Sequence, residues 1–361
     1  KNKAQDLFMQ IIFEYLFYCF SFLSLYVQIY FLVVFLEKYK EIKIHKEPLK
    51  LFENDEDYPG VTITVPAYNE GLNVKKTVAS LLKLNYPKNK LFLILVDDGS
   101  TDNTWEIMQE YKDHPQIKIF TKENGGKYTA QNLGLKNTTT PFLGSLDSDS
   151  EVNEEALNRI IYHFKDPTIM AIAPTIVSHN ETNIVQKAQK IDYELQIYVK
   201  KMYGFIDAIH VTPGPFSIFR KEVFEKIGPY KHAHLTEDQE IALRMHQHNM
   251  RIDHAPDAYV YTNTPKTVKA LYKQRTRWIY GFIRNALDYK HLLFKKKYGN
   301  IGFITLPAGF ISVLSVLFLF IFTGYNLYNY IKQKSLIVSA VGFSIKTSTI
   351  KIDPFFINTS A

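Results

Sequence analysis

Two long apolar runs, one near each end of the chain, limit most strongly what this sequence can fold into. The first extends from Leu7 to Leu36 and the second from Ile301 to Thr323. The first exceeds the ~20 apolar residues that an α-helix needs to cross a bilayer, and the second carries no charged residue. The first run is too long for a signal peptide and for an ordinary buried helix. The sequence therefore predicts two transmembrane helices with a water-soluble domain between them.

Lysines cluster where each apolar run meets the intervening domain. The two clusters are Lys38, Lys40, Lys43, Lys46 and Lys50 after the first run, and Lys295-Lys296-Lys297 before the second. By the positive-inside rule the domain between them faces the cytoplasm. We therefore expect an integral protein of the plasma membrane or an equivalent membrane. The net charge of +7 suits anionic partners, and the apolar runs favour lipid headgroups and nucleotide diphosphates over nucleic acid.

Strand and helix signals alternate between residues 60 and 150. The predicted strands are Val61–Val65, Leu91–Val96, Ile117–Phe120 and Phe142–Leu146, and the predicted helices cover 71–84 and 102–113. Such alternation predicts a parallel sheet with helices on both faces. Ligands bind beyond the carboxyl ends of the strands in sheets of this kind. The segments Pro66–Glu70, Asp97–Ser100 and Asp147–Asp149 fall at those ends, and Pro66 is expected to break the first strand.

Asp147 and Asp149 are separated by one residue. Side chains two apart on extended backbone point to the same side, and paired carboxylates are oxygen ligands suited to Mg²⁺ or Mn²⁺. Such an ion would also bind phosphate oxygens of a nucleotide. The alternative interpretation is a solvated acidic turn.

Two other polar strings follow predicted strands. Asp97 and Asp98 precede Gly99-Ser100, so their carboxylates either contact a nucleoside or form a turn and cap the next helix. Gly125-Gly126-Lys127 follows the third strand. Its glycines allow close backbone approach to a ligand and Lys127 offers a positive charge to a diphosphate, although an ordinary turn explains the string equally well.

Two strings fall on predicted helices. Thr236 and Gln239 form a capping box for a helix over 237–248, which leaves Asp238 without a structural explanation. Gln274, Arg277 and Trp278 share one face of a helix within 266–290. On that face an arginine would bind phosphate and a tryptophan would stack on a sugar ring. The alternative is a helix that lies on lipid, and Arg275, one step round, is the better candidate for contact with lipid.

Taken in order, four of these strings resemble the processive family-2 glycosyltransferases, such as cellulose, chitin, hyaluronan and poly-N-acetylglucosamine synthases. They are Asp97-Asp98-Gly99-Ser100, Asp147-Ser148-Asp149, Thr236-Glu237-Asp238 and Gln274-Arg275-Thr276-Arg277-Trp278. The resemblance covers residues 60–325. It implies a three-layer α/β domain of the nucleotide-sugar-binding GT-A type, flanked by transmembrane helices.

The resemblance also implies roles for single residues. Asp238 would be the general base with Glu237 beside it, and Asp149 would bind the metal with Asp147, which lies nearer the nucleotide. The nucleotide-sugar would contact Pro66, Tyr68, Glu70, Asp97, Asp98, Lys127, Asp147, Gln274, Arg277 and Trp278, with Tyr68 stacked on the nucleobase. The acceptor would contact Gly214, Pro215 and Trp278.

The function implied is inverting transfer of a sugar from a UDP-sugar to a growing β-linked polysaccharide, coupled to export. N-acetylglucosamine is the first expectation for the sugar and glucose the second. Two helices are few for an export channel, so further helices are missing, or a homo-oligomer or an accessory subunit forms the channel, or no channel exists. The alternatives are a lipid glycosyltransferase of the ceramide glucosyltransferase type, which adds one sugar to a glycolipid acceptor, and a non-catalytic sugar- or nucleotide-binding membrane module.

The sequence predicts four regions. Residues 1–50 form a transmembrane helix and a basic segment, 51–265 the cytoplasmic catalytic domain, 266–300 interface helices, and 301–361 a C-terminal membrane region that is expected to be incomplete. Residues 336–345 are apolar but too short to span a bilayer, and 346–361 are expected to be a loop.

Overall fold

The computed structural model of the chain describes residues 2–341. The predicted loop at 346–361, and the last residues of the apolar stretch 336–345, lie outside the described residues. The chain divides into two compact units, Leu23–Ile311 and a unit made of Lys1–Phe22 with Ser312–Ala361. The boundaries predicted at residues 50, 265 and 300 all fall inside or beside elements of the first unit, and they stay predictions.

Two long helices contain the apolar runs. Helix α1 covers Asn2–Lys38 and helix α10 covers Leu306–Val341, preceded by a π-helical turn at Ile301–Thr305. Two segments, Ile11–Glu41 and Ile301–Ser339, are long and apolar enough to cross a membrane by length and composition. Inside the unit formed by the chain ends, Phe17 stacks on Phe322 with ring centroids 5.6 Å apart.

A single mixed sheet of eight strands forms the centre of the Leu23–Ile311 unit. Its strands are β1 Val61–Ala67, β2 Leu91–Asp97, β3 Ile117–Thr121, β4 Phe142–Ser145, β5 Ser150–Val152, β6 Ile169–His179, β7 Ile218–Arg220 and β8 Arg251–Asn263. They lie in the order β3-β2-β1-β4-β7-β6-β8-β5. The four strands predicted from the sequence pair in parallel, as expected, whereas β7 runs antiparallel to both neighbours.

Strand β1 continues through Pro66 to Ala67, so the break expected at Pro66 is wrong. Strand β2 pairs with β1 along its whole length, up to Ala67 opposite Asp97. On its other side, β4 pairs with β1 only as far as Thr64. Pro66 therefore lies where one side of the strand has no ladder partner, and a proline is tolerated at such a position because its missing N–H breaks no ladder hydrogen bond.

The remaining helices cover the sheet and connect its strands. They are α2 Asn73–Leu82, α3 Thr104–Gln109, α4 Lys127–Lys136, α5 Ala156–His163, α6 Ile184–Phe205, α7 Lys221–Ile227, α8 Glu237–Gln247 and α9 Val268–Asp288. Helix α3 is shorter than the predicted 102–113. The Asp102 carboxylate accepts a hydrogen bond of 3.0 Å from the N–H of Thr104, the first residue of the helix, so Asp102 itself lies before the helix.

From Leu93 onward strand β2 is buried on both faces, as its continuous apolar sequence predicts, whereas Phe92 is exposed. Leu93 and Leu95 belong to the large core cluster that also contains Ile63 of β1. On the opposite face, Ile94 and Val96 pack against Ala130 of α4. Burial on both faces fixes the register of β2, and it thereby fixes where the loops after the first three strands emerge.

Candidate functional site

A cavity of 520 Å³ lies in the Leu23–Ile311 unit, beyond the carboxyl ends of the strands. This volume is in the range that small-molecule and cofactor sites occupy. The predicted site residues that line it are Lys127, Asp147, Asp149, Gly214, Pro215, Glu237, Asp238, Gln274, Arg277 and Trp278. The fold therefore brings three of the four sequence strings together around one cavity, although more than 130 residues separate Asp147 from Trp278.

The other predicted residues, Pro66, Tyr68, Glu70, Asp97 and Asp98, are outside the lining of this cavity. Asp97 is buried and both of its oxygens are engaged inside the domain. Oδ1 accepts a hydrogen bond of 3.1 Å from the Ser100 N–H, and Oδ2 accepts one of 2.9 Å from the Thr121 hydroxyl. The side chain of Asp97 thus forms the turn, which is the alternative that the sequence left open, and its contact with the nucleotide stays a prediction.

Asp98 supports the wall of the cavity from behind. Its Oδ2 accepts a hydrogen bond of 2.9 Å from the Gly126 N–H, and its Oδ1 accepts one of 3.2 Å from Gly125 and pairs with Lys122 Nζ at 2.5 Å. Gly126 has a φ of +88°, a conformation that glycine adopts at little cost. Asp98 therefore holds the Gly125-Gly126 loop in the shape that presents Lys127.

The loop after β1 approaches the site at one point. Negative charge on Glu70 contributes, after burial and Asp147, to raising the pKa of Asp149. Tyr68 is 48% exposed, so its ring is available for the predicted stacking on a nucleobase. That contact, like those of Pro66 and Glu70 with the nucleotide, stays a prediction.

Lys127 forms the electrostatic centre of the cavity. Its Nζ pairs with Asp147 Oδ1 at 2.5 Å and lies 3.5 Å from Glu237 Oε1. Burial disfavours its charge, but the charges of Asp147, Glu237 and Asp238 outweigh burial and raise the pKa of Lys127 above its ordinary value. Lys127 is therefore a permanent cation that crosslinks the Asp147 string to the Glu237-Asp238 string.

The backbone at Gly214 packs directly on this ion pair. A Cβ at Gly214 would lie 2.5 Å from Lys127 Nζ and 3.5 Å from Asp147 Oδ1. The Gly214 carbonyl also accepts a hydrogen bond of 3.1 Å from the Ser145 hydroxyl. A side chain at this position would displace the lysine, which explains why the loop before β7 has a glycine here.

Asp149 carries a perturbed carboxyl group. Burial, followed by the charges of Asp147 and Glu70, raises its pKa to about 6. Carboxylates that repel one another in a partly dry site are the donor set that a hard divalent cation neutralises. The described residues contain no cluster of three or more His, Cys, Asp or Glu side chains arranged around a metal, so Asp147 and Asp149 fit an ion that completes its coordination with phosphate and water oxygens.

Asp238 lies in the first turn of α8. Burial and the charge of Glu237 raise its pKa to about 6, while Lys127 acts in the opposite direction. Its backbone carbonyl accepts hydrogen bonds of 3.1 Å from both the N–H and the hydroxyl of Thr212. A carboxylate with a raised pKa that faces a cavity has the properties of a general base.

The predicted capping box at Thr236 and Gln239 is wrong. Helix α8 begins at Glu237 as expected, but the Thr236 side chain makes no capping hydrogen bond to it. The Thr236 hydroxyl instead donates to the Ala233 carbonyl at 3.1 Å and accepts from Asn285 Nδ2 at 2.9 Å. Thr236 therefore connects α8 to α9, and the Gln239 amide oxygen is buried without a hydrogen bond among the described residues.

The turn that leads into α8 is strained. Ala233, His234 and Leu235 have φ values of +44°, +54° and +66°. Residues other than glycine rarely adopt such values consecutively. Helix α9 holds this turn through a hydrogen bond of 2.9 Å between His234 Nε2 and Asp288 Oδ2, and through close packing of Gly281 against Thr236. The helix that carries Arg277 and Trp278 thus also fixes the backbone in front of Asp238.

The expectation that Arg275 faces lipid is wrong. Arg275 forms an ion pair with Asp192 of α6, and its guanidinium carbon lies 4.7 Å from the centre of the Trp278 ring. It lines the cavity with Gln274, Arg277 and Trp278. Gln274 Oε1 is buried and has no hydrogen-bond partner among the described residues, as expected for a polar group that meets a ligand.

Helix α6 contributes residues that sequence reasoning missed. Tyr193, Gln196, Ile197 and Lys200 line the cavity. Their spacing of i, i+3, i+4 and i+7 places them on one helix face, and this spacing is the signal that could have marked them. The spacing indicates a shared helix face but no chemical role. Only the packing of α6 shows that this face points into the site.

The mixed sheet, with its parallel first half and a cavity beyond the strand ends lined by paired carboxylates, defines an α/β domain of the GT-A type, the class predicted from the sequence. Residues 62–228 match the family model described as Glycosyl transferase family 2. The relation to family-2 glycosyltransferases that the sequence predicted is confirmed over these residues, which contain the first two of the four strings.

Curated relatives and one solved structure agree with this assignment. A poly-beta-1,6-N-acetyl-D-glucosamine synthase of Staphylococcus epidermidis is 32% identical over 225 residues, which are 62% of this chain and 54% of the relative. The enzyme of the same name from Staphylococcus aureus strain COL is 31% identical over 231 residues, or 63% of this chain and 56% of the relative. The chain thus spans little more than half the length of these relatives. A mannosyltransferase from Pyrobaculum calidifontis, solved in complex with GDP-Man and Mn²⁺, shares the fold with a TM-score of 0.60, 19% identity and coverage of 88% of this chain and 94% of that chain.

Proposed function

We propose that this protein is a membrane-bound inverting hexosyltransferase that moves N-acetylglucosamine from a UDP-sugar to a growing β-linked polysaccharide. One observation carries the proposal. A single cavity joins the Asp147-Asp149 pair, the candidate base Asp238, and the Arg277-Trp278 pair from α9. The two curated relatives, named as synthases of a β-linked N-acetylglucosamine polymer, support the choice of sugar and of acceptor.

Asp238 performs the proton transfer in this proposal. Its carboxylate removes the proton from an acceptor hydroxyl as the hydroxyl oxygen attacks the anomeric carbon of the donor sugar. The bond between that carbon and the diphosphate breaks at the same time, and UDP leaves. Attack from the side opposite the leaving group inverts the anomeric centre, so an α-linked donor gives a β-linked product. A correctly placed base contributes ~100- to 10,000-fold to the rate.

Lys127 and Arg277 bind the diphosphate, because both are cations on the wall of the cavity and arginine matches phosphate oxygens with two parallel donors. Asp147 and Asp149 would hold Mg²⁺ or Mn²⁺, which stabilises negative charge on the departing diphosphate. Trp278 offers a flat ring to a sugar, and the Arg275 guanidinium packs against that ring. Glu237 keeps Lys127 in place from the side of α8.

The membrane assignment rests on α1 and α10. Their apolar segments are long enough to cross a bilayer, and by the positive-inside rule the lysines near them support a cytoplasmic location of the catalytic unit. A partner copy or an accessory subunit for export stays a prediction from the sequence.

The test uses the full chain purified in detergent with Mn²⁺ and a panel of UDP-sugars. We expect UDP release to be fastest with UDP-N-acetylglucosamine and the product to be a polymer. Absence of UDP release from every donor would refute the transferase proposal. A single glycolipid as product would refute the polysaccharide acceptor and favour lipid glycosylation.

A pair of matched variants identifies the base. Asp238→Asn removes the basic group while it keeps the shape of the side chain, so transfer should fall by at least about 100-fold with UDP affinity nearly unchanged. Asp113→Asn makes the same chemical change at an exposed position and should behave as the parent. Retained transfer by the Asp238 variant would show that another group accepts the proton.

A further inference from the structure

Two adjacent lysines of α6 have different surroundings. Lys201 is buried, and its Nζ lies 3.1 Å from Asp253 Oδ1 and 3.1 Å from the His254 carbonyl oxygen. Lys200 lines the cavity, and its Nζ reaches only the Pro174 carbonyl oxygen at 3.5 Å. Within residues 2–341, no carboxylate oxygen lies within the 4.0 Å ion-pair distance of Lys200 Nζ. Lys201 therefore has a structural role, whereas the ammonium of Lys200 has hydrogen-bond donors left for a ligand.

Lys200 lines the same cavity as the candidate base Asp238, and the charge of Asp238 acts on it. Tyr193, seven residues earlier on the same helix face, is within reach of the charge of Asp149. At 1.5 Å per residue these two positions are about 10 Å apart along α6. One face of α6 therefore lies beside the candidate metal ligand Asp149 at Tyr193 and beside the candidate base Asp238 at Lys200.

Two histidines whose pKa values respond to the charge of Lys200 add neutral polar atoms to the cavity wall. His210 and His254 line the same cavity. Burial, with the charge of Lys200 as the next cause, lowers the pKa of both, to about 4 for His210. Both imidazoles are therefore neutral near pH 7, and His210 Nδ1 is buried with no hydrogen-bond partner in the described part of the chain. Neutral polar atoms beside one ammonium suit the hydroxyl and acetamide oxygens of a sugar.

We propose that Lys200 binds the acceptor sugar, its ammonium donating hydrogen bonds to oxygens of the sugar whose hydroxyl faces Asp238. This proposal rests on the proposed transferase function and assigns a binding residue that none of the four sequence strings contains. A hydrogen bond from a charged group to a neutral oxygen is stronger than a neutral one, so Lys200 holds the acceptor in register with the base.

The experiment compares Lys200→Met with Lys187→Met in the full chain. Both changes remove one ammonium from α6, but Lys187 is exposed. The assay measures transfer from UDP-N-acetylglucosamine to a soluble β-linked N-acetylglucosamine oligosaccharide, varying donor and acceptor separately. For Lys200→Met the acceptor KM should rise about tenfold or more, and the donor KM and UDP affinity should stay within about twofold of the parent. Lys187→Met should change neither constant.

A third variant, Lys200→Arg, separates binding from a general effect on folding. Burial lowers the pKa of Lys200 to about 8, and Asp238 opposes this shift. The titratable groups that interact with Lys200 are Asp238 of α8, His210 in a loop, and His254 of β8. Neither imidazole changes its charge near pH 8, because burial lowers the pKa of both. The parent should therefore lose acceptor affinity as the pH rises through about 8. Lys200→Arg should remove this alkaline limb, because a guanidinium stays charged.

Three outcomes overturn the inference. They are an unchanged acceptor KM in Lys200→Met, an equal rise of donor and acceptor KM, and an alkaline limb that persists in Lys200→Arg. A parent chain that transfers no sugar refutes the proposed function, and the role of Lys200 with it. A parent that transfers sugar beside a Lys200→Met variant with parental constants refutes the role of Lys200 alone.

Discussion

Replacement of Gly281 by alanine tests whether α9 sets the position of the base. A Cβ at Gly281 would lie 2.2 Å from Thr236 Oγ1, 2.4 Å from its Cγ2 and 2.8 Å from its Cβ. Thr236 is 3% exposed, and its hydroxyl is held by Asn285 and by the Ala233 carbonyl. The threonine cannot rotate away without losing those bonds, so α9 and the turn before α8 must separate by about 1 Å to reach ordinary van der Waals contact.

This separation acts on activity more than on stability. Overpacking costs about 1–3 kcal/mol, and alanine returns up to about 1 kcal/mol because it is the better helix former. The free energy of unfolding should therefore fall by no more than about 3 kcal/mol. Asp238 follows Thr236 after one residue, and a misplacement of about 1 Å at a reacting group costs about 100-fold in rate. We thus expect kcat to fall by about 100-fold.

The assay follows UDP release for kcat and titrates UDP for affinity, with thermal unfolding as the check on stability. Gly324→Ala in α10 is the matched control, because a Cβ there would have no atom of the described residues within 4 Å. A kcat close to the parental value, or a loss of UDP affinity as large as the loss of kcat, would show that α9 does not position the base.

Three further predictions concern the charged groups of the cavity. Because burial and Glu237 raise the pKa of Asp238 to about 6, a base that must be deprotonated gives a rate that falls as the pH drops through 6; a rate that stays flat down to pH 5 in a pH–rate profile contradicts this. Gly214→Ala places a Cβ 2.5 Å from Lys127 Nζ and should raise the donor KM by about tenfold. The Tm should change little, because the flexible end of the lysine side chain can move aside. An unchanged donor KM in steady-state kinetics would argue against a role for Lys127 in donor binding. Removal of divalent cations by a chelator should abolish transfer and added Mn²⁺ should restore it, if Asp147 and Asp149 hold the ion; full activity in excess chelator would exclude that role.

Local patterns predicted much of the first half of the sheet. The apolar run Leu91–Val96 indicated a strand buried on both faces, and the structure confirms it in β2. The prediction failed at Pro66, because the cost of a proline depends on whether the neighbouring strand extends that far. It failed also for the capping box, because Thr236 bonds to Asn285, which is 49 residues away. In both cases a partner distant in sequence decided the outcome.

The same limit applies to the candidate site. The acidic strings and the Gln274–Trp278 string were recognised because their residue types and order carry chemical meaning. Arg275 and Lys200 carry none in isolation. Whether such a cation faces lipid, a carboxylate or a substrate depends on which helix packs opposite it, and Asp192 of α6 supplies that answer for Arg275.

The class of the protein follows from the pattern of its residues, because the period of apolar residues fixes strands and helices, and because the ends of parallel strands must share one edge of a sheet. The packed structure was needed to show that Asp98 holds the Gly125-Gly126 loop, and that α9 holds the turn before Asp238. It also decided which lysine of the Lys200-Lys201 pair remains without a carboxylate within ion-pair distance among the described residues. Those outcomes depend on contacts between segments far apart in the chain. Such contacts form, and stabilise the protein, only when folding brings those segments together.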